Sequence, residues 1–407
     1  MEITKYKLGD IAKTGSGGTP KSTVAEYYEN GNIPWINSGE LNNPFISTTS
    51  NFITQKGYDN SSAKLFPPQT VLLAMYGATA GKASLLEFEA CTNQAICAIM
   101  PNQDILLPRF LKYKLDTMYN YLVGLSTGSA RDNLSQDGIK ALELCIPPLP
   151  EQKKIAAVLS ALDDKIALNK KMNQKLEAMA KRLYDYWFVQ CDFPDKNGHP
   201  YKTTGGPMTY NETLKREIPV GWEVKTLADF AEYVKTTTKF DKAFNYVSTD
   251  NMMPQKKGLS GETLKPASGN VLCYEKDDIL ISNIRPYFKK IWYADQSGTC
   301  STDVLCIRSL NSDNSYFVYK TLWQDDFFDY VMQGAKGSKM PRGDKTRIMN
   351  YPICIAKENF DELIKKFSAL TIPMQAIIQK NTKEFSRLTK LRDKLLPLLM
   401  NGQVTVF

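Results

Sequence analysis

Residues 150–190, PEQKKIAAVLSALDDKIALNKKMNQKLEAMAKRLYDYWFVQ, constrain the fold more than any other stretch. Ile155, Val158, Leu162, Met172, Leu176, Met179, Leu183 and Tyr186 recur at spacings near three and four, the apolar stripe of one long amphipathic helix. Pro150 stands where a missing N–H is harmless, and Glu151 favours the positive helix end. At 1.5 Å per residue such a helix is roughly 50 Å long and needs a partner for its stripe. Residues 372–399 supply one, with Ile378, Phe385, Leu388, Leu391, Leu395 and Leu398 on a comparable stripe. Asn169 and Asn381 also fall on these seams, where a buried polar pair would penalise slipped pairings; a partly exposed seam is the plainer reading.

The rest of the chain repeats one plan. Cys91, Cys97 and Cys145 recur as Cys300, Cys306 and Cys354, each shifted by 209 residues, and GTCSTDVLCIRS follows EACTNQAICAIM at the same shift. Gly128-Ser129 and Gly337-Ser338 each open a polar loop, and TVLLAMYG matches DILISNIR. The helices align on Pro150-Glu151-Gln152 and Pro373-Met374-Gln375, which leaves KENFDELIKKFSAL as extra residues before the second helix. Short β-rich runs bounded by Gly, Pro and Asn, with a short helix at 108–121 and again at 315–332, make each unit mixed α/β (α+β). The expected architecture is two similar units joined by an antiparallel pair of long helices, a pseudo-twofold internal repeat. Its segments are 1–149, the first helix 150–190, a Pro-, Gly- and Thr-rich linker 191–218, the second unit 219–357, and the second helix 358–407. Two readers held by one spacer suit a two-part site, as dimeric DNA-binding proteins read half-sites.

Composition narrows the chemistry. A net charge of +8 favours an acidic partner, and no apolar run reaches membrane-span length. The opening MEITKYKLGD is not a signal peptide, so a cytoplasmic location is expected. The single histidine, His199, leaves little for metal sites or general acid–base work. The eight cysteines form no CxxC pair and sit in apolar, strand-like settings, which reads as buried small hydrophobes. Neither Pro-Pro pair, FPPQ or IPPL, fits the methylase pattern [NDS]-PP-[YFW]. Pro194-Asp195 and Glu223-Val224-Lys225 lie at the linker without a sheet between them, so a nuclease centre gains no support. Asp163-Asp164 reads as a solvated helix face. No catalytic residues and no metal ligands are assigned.

Polar and basic loops remain. TGSGGTPKS carries Gly17, Gly18, Thr19 and Lys21 but lacks phosphate-loop spacing, and GATAGKA only mimics it. Each is either a flexible turn or a loop that approaches DNA phosphates. The first unit adds Ser38, Glu40, Asn42, Asn43, Lys82, Arg131 and Asn133. The second adds Lys235, Lys239, Asp250, Asn251, Arg285, Lys289, Lys339 and Arg342. Arg addresses guanine bidentately, Asn addresses adenine, and Lys mainly meets phosphate.

The stretches GGTPKSTVAEYY with GNIPWINSGEL, MYGATAGKASLL, TNQAICAIMP, PPLPEQKKIAAVLSALDDKI and IPVGWEVKTLADF together resemble the specificity (S) subunit of type I restriction–modification enzymes, across essentially the whole chain. The resemblance implies two target-recognition domains and two helical regions acting as a ruler on double-stranded DNA. It implies an asymmetric bipartite site and a subunit that is non-catalytic alone. Two methyltransferase (M) subunits and two restriction (R) subunits are the implied partners, with S-adenosylmethionine, ATP and Mg expected on them and no cofactor on this chain. KTTTKFDKAF stands where the first unit has GSGGTPKS, and KGSKMPRGD stands for TGSARDNLS, so the half-sites should differ. The alternative is a stand-alone DNA methyltransferase or nuclease.

Overall fold

The computed structural model describes residues 3–127, 134–261, 263–264, 268–337 and 339–406. Two compact units emerge, Met1–Ala167 with Arg387–Phe407, and Leu168–Ser386. Two long helices, Leu149–Tyr184 and Phe360–Met400, each contribute to both.

In the first unit a five-stranded sheet runs in the order Ala12–Ser16, Ile96–Pro101, Val71–Ala74, Ala83–Leu86, Phe45–Ile46. Its pairs are antiparallel except the last, which is parallel. Successive side chains on a strand point to opposite faces. Val71, Leu73, Cys97 and Ile99 therefore meet Phe110 and Leu111 of helix Pro108–Thr117, together with Ile155, Leu159, Leu399 and Met400 of the long helices. Leu72, Ala74, Ile96 and Ala98 face the other way, onto Ile36, Leu41, Ile46 and Phe66. Both faces are covered, which is why VLLA is apolar throughout instead of alternating. A ladder of Thr4–Lys7 with Glu143–Ile146 and a small sheet of Phe52–Ile53, Ile33–Ile36, Ala90–Thr92 and Leu65–Phe66 complete the unit.

The second unit repeats the plan. Its sheet runs Ala231–Tyr233, Val304–Ser309, Ile279–Ser282, Ile291–Tyr293, beside a ladder of Trp222–Thr226 with Pro352–Ala356. A three-stranded sheet, Thr237–Lys239, Asn270–Tyr274, Gly298–Cys300, stands for the small sheet of the first unit. Ile281, Leu305 and Ile307 meet Phe317 and Leu322 of helix Ser315–Leu322. Leu280, Val304 and Cys306 take the opposite face, with Val247 and Met252.

The repeat is offset by one residue from the cysteine match. The pair Ile96↔Ala74 corresponds to Val304↔Ser282, a shift of 208. Cys97 is thus equivalent to Leu305, and Cys306 stands at the place of Ala98, on the other sheet face. The shift of 209 holds on the later strand of the ladder, and the earlier strand is shifted by 219: Leu8 N–H donates to Leu142 O as Leu227 N–H does to Tyr351 O. All eight cysteines are free thiols; six are buried, Cys145 is exposed and Cys273 half-buried.

Two helix expectations need correction. The second long helix starts at Phe360, in keeping with the expected segment 358–407 but well ahead of the stripe read from 372, because Phe360, Leu363, Ile364 and Phe367 recur at helical spacing and bury together. Pro373 is consequently interior and leaves the turn before it without one backbone bond. On the first helix, Met172, Met179 and Tyr186 are exposed. The buried line runs instead through Leu159, Asp163, Ile166, Asn169, Ala180 and Tyr184. The polar members are satisfied by hydrogen bonds to the antiparallel partner. Asn169 donates to Glu384 (2.9 Å), and Asn381 donates to Asn173 (2.9 Å), so both expected asparagines are buried on the seam. Asp163 is buried rather than solvated, accepting from Tyr113 Oη (2.7 Å) and Arg392 (2.9 Å), while Asp164 stays exposed. The first helix ends in a π-helical turn, Asp185–Val189, whose free carbonyls at Phe188 and Val189 accept from Arg216. Arg216 belongs to the expected linker, 191–218, part of which folds as a hairpin of Met208–Asn211 and Arg216–Pro219, with Phe193 stacked on Trp222 and Tyr201. Among the described residues no helix is long and apolar enough to cross a membrane.

Candidate nucleic-acid interface

Antiparallel registers bring the candidate loops to one end of each sheet. In the first unit Ser16 lies opposite Cys97, and Ile96 opposite Ala74, so the loops after 16, before 96 and after 74 share that end. Side chains knit them together: Thr19 Oγ1 donates to Gln94 Oε1 (2.6 Å), Ser16 Oγ to Gln94 O (3.3 Å), and Met75 N–H to Ala95 O (2.8 Å). Gly17 and Gly18 are packing positions. A Cβ on Gly17 would stand 1.9 Å from Thr92 O, and one on Gly18 2.0 Å from Ser62 Oγ. The backbone of this loop is thereby pressed inward, leaving Thr19 and Lys21 exposed.

The hairpin from Tyr76 to Lys82 carries two left-handed glycines, Gly77 (φ 84°) and Gly81 (φ 80°). Lys82 is half-buried and donates to Asn42 Oδ1, tying the Ser38–Asn42 turn to the hairpin. Glu40 is occupied within that turn, accepting from Asn37 N–H (3.1 Å) and Asn51 Nδ2 (3.0 Å). Ser38 is half-buried on the same turn; Asn42 and Asn43 are exposed. Arg131 and Asn133 lie outside the described residues.

The second unit builds the same sheet end with other residues. The hairpin of Ile284 to Lys290 copies that of Tyr76 to Lys82 at a shift of 208. Phe288 N–H donates to Arg285 O as Ala80 N–H does to Gly77 O, and Ser282 N–H to Lys290 O as Ala74 N–H does to Lys82 O. Its left-handed positions are held by Arg285 (φ 51°) and Lys289 (φ 52°) instead of glycine. A side chain in that conformation costs about 1–2 kcal/mol, so the surrounding structure must hold it. It does: Arg285 N–H donates to Pro341 O, Gln255 N–H to Phe288 O, and Lys256 N–H to Lys289 O, all at 2.8–2.9 Å. Lys289 and Lys256 both reach Asp325 Oδ1, at 2.6 and 2.7 Å, and hold that carboxyl down to about 2. Lys290 Nζ donates to Thr249 O (2.5 Å), tethering the neighbouring turn as Lys82 does in the first unit.

The remaining candidates divide into occupied and free. Asn251 is buried and holds its turn, accepting from Ser248 N–H (2.9 Å), while Asp250 is exposed beside it. Arg342 pairs with Asp303 (3.1 Å) yet stays more than half exposed. Lys235, Lys239 and Lys339 are exposed. Arg285 is half-buried, and its Nε is buried without a partner among the described residues. The residues that loop composition did not single out are Tyr287, Phe288 and Met340, three large apolar side chains exposed at this end. The signal was an aromatic pair, Tyr-Phe, standing inside a basic hairpin where the first unit has Thr-Ala.

Residues 1–178 match a protein family described as the Type I restriction modification DNA specificity domain. Over 98% of its length the chain is 29% identical to the Type I restriction enzyme MjaIX specificity subunit of Methanocaldococcus jannaschii, covering 93% of that protein. It is 23% identical to the HindI specificity subunit of Haemophilus influenzae, covering 98% of this chain and 99% of that one. Among solved structures, the type I restriction–modification S subunit from M. genitalium shares the fold, with a TM-score of 0.64, 17% identity and coverage of 98% and 96%.

Proposed function

Since the chain belongs to the specificity subunits of type I restriction–modification systems, we propose that it reads an asymmetric bipartite sequence in double-stranded DNA, one half with each unit. The loops at the sheet end carry the reading. In the first unit these are Thr19, Lys21, Ser38, Asn42 and Lys82; in the second they are Lys235, Lys239, Asp250, Arg285, Lys339 and Arg342. Arg131 and Asn133, outside the described residues, join the readers on their residue types alone. Glu40, Asn251 and Lys289 hold the loops in shape, and Gly17 and Gly18 let theirs pack.

One observation carries this reading: a single hairpin conformation presents Gly77-Ala78-Thr79-Ala80-Gly81 in one unit and Arg285-Pro286-Tyr287-Phe288-Lys289 in the other. A shared frame with exchanged tips is what reading two different half-sites requires. The exposed face of the first long helix and its last turn, where Leu168, Met172, Met179 and Tyr186 recur on one side, suits docking of a methyltransferase subunit, of which the complex would hold two. Two restriction subunits complete the complex. Adenine methylation with S-adenosylmethionine, and ATP- and Mg-dependent cleavage, reside on those partners in the cytoplasm, and this chain is not itself catalytic.

The test is co-purification with the neighbouring methyltransferase, followed by mapping of methylated adenines in host DNA. Deleting the chain should abolish one bipartite motif, and exchanging residues 1–149 should change only one half. Unchanged methylation on deletion refutes the proposal. Methylation by the isolated chain would favour a stand-alone methyltransferase.

A further inference from the structure

Resting on that reading, we infer that the tip of the second unit's hairpin, Tyr287-Phe288, is a wedge that unstacks one base step of the half-site under residues 219–357, and that the first unit has no such wedge. Three observations converge. The rings of Tyr287 and Phe288 lie 4.7 Å apart at the tip, and the side chains are 44% and 36% exposed. Met340 of the adjoining loop, 48% exposed, flanks the same end through the Arg285–Pro341 bond. Large apolar side chains of this kind insert between base pairs in DNA-kinking proteins.

The tip is also held rigidly. Arg285 and Lys289 keep left-handed backbone that glycine would adopt without cost, and they are fixed by Pro341 O and by the Asp325 pair. Such strain is retained where the geometry of the segment matters, and a fixed wedge loses little entropy on insertion. Charge supplies the third argument. Lys339 and Arg342 on the adjoining loop are exposed, Arg342 while paired with Asp303 (3.1 Å), and on this reading they would meet phosphates beside an opened step, which favours DNA over a protein partner for the apolar tip. The equivalent tip of the first unit is Ala78-Thr79-Ala80, with Thr79 buried, and carries no aromatic; the aromatic of that hairpin, Tyr76, is 36% exposed but stands at its base.

The experiment uses the complex of the full chain with its methyltransferase partner and a duplex carrying the mapped motif, with 2-aminopurine placed in turn at each position of both halves. The wild-type complex should give a fluorescence rise at one step in the second half and none in the first. The variant Tyr287→Ala with Phe288→Ala should lose that rise and bind about ten- to a hundredfold more weakly, with an unchanged salt slope because phosphate contacts persist. An abasic site at that step should restore most of the binding. Phe288→Leu, which stays apolar, should retain the rise. Equal signals in both halves, no rise in the wild type, or a double variant that keeps the rise each overturn the wedge while leaving bipartite reading intact. A complex that binds no bipartite duplex overturns both.

Discussion

Lys320 and Lys112 occupy the same place in the two units, 208 residues apart, yet should respond to replacement with opposite signs. Both are buried, 1% and 3% exposed, on the helix that covers the sheet. Lys112 Nζ donates to Asp116 (2.7 Å). The residue equivalent to Asp116 is Gln324, so Lys320 has no carboxylate one turn on. It lies over the rings of Tyr316, Tyr319 and Trp323 at 5.6, 5.2 and 4.8 Å. Burial pushes its ammonium down from an ordinary value of 10.5 to about 8, with Glu177 opposing. The folded state therefore binds fewer protons than the unfolded one between pH 8 and 10.5, so stability rises with pH across that window. Below pH 8 the whole cost of the buried charge applies, roughly 3 kcal/mol at 1.4 kcal/mol per tenfold change in proton affinity. Lys320→Met removes that cost and also removes cation–π attraction of about 0.5–2 kcal/mol. The net expectation is a gain of about 1–3 kcal/mol at pH 7, which fades by pH 10. Each kcal/mol should move the second unit's melting midpoint by about 2–4 °C. Tyrosines of the cluster titrate late in both proteins and cancel in the difference. Lys112→Met, by contrast, leaves the Asp116 carboxylate without its cation and should cost roughly 1–3 kcal/mol. Calorimetry of the full-length variants between pH 7 and 10 decides the matter. A Lys320→Met chain less stable than wild type at pH 7, or a gain that does not fade with pH, refutes the reasoning.

Two further perturbations test the frame. Gly77→Ala should cost about 1–2 kcal/mol for its left-handed backbone alone, since a Cβ there meets nothing within 4 Å. Gly81→Ala should cost more, because its Cβ also comes within 3.1 Å of Val123 Cγ2 and 3.4 Å of Leu122 Cβ; equal losses in denaturant titration would refute the packing argument. Asp163→Ala leaves Tyr113 Oη and Arg392 without their shared acceptor and should cost about 3 kcal/mol. Asp163→Asn, which keeps an oxygen for Tyr113, should cost less, and the thermal midpoints of the two variants give the order.

The long helices, the repeated plan and the buried strands were legible because each is written as a period. What the periods did not carry was polar use. Apolar spacing marked Met172, Met179 and Tyr186 as seam residues, whereas the seam is closed by Asn169, Asn173 and Asp163 reaching acceptors and donors on the partner helix. Hydropathy counts such residues as outward-facing, and only the partner's position shows that their hydrogen bonds are satisfied inside. The same limit governs the loops. Glu40, Asn251 and Lys289 have the residue types that read bases and phosphates, yet each is consumed by a turn or an ion pair. The one-residue offset shows how the ambiguity could be broken without coordinates. Aligning the repeats on Cys97 and Cys306 places the two side chains on opposite sheet faces. Aligning instead on the apolar run, VLLA with ILIS, gives 208 and keeps every side chain on its own face. At that shift Gly77 falls on Arg285, Gly81 on Lys289, and Asp116 on Gln324. A left-handed glycine replaced by a cation, and a carboxylate lost opposite a lysine, are then visible as sequence facts, and both lead to the positions where the two units have diverged in what they hold and what they touch.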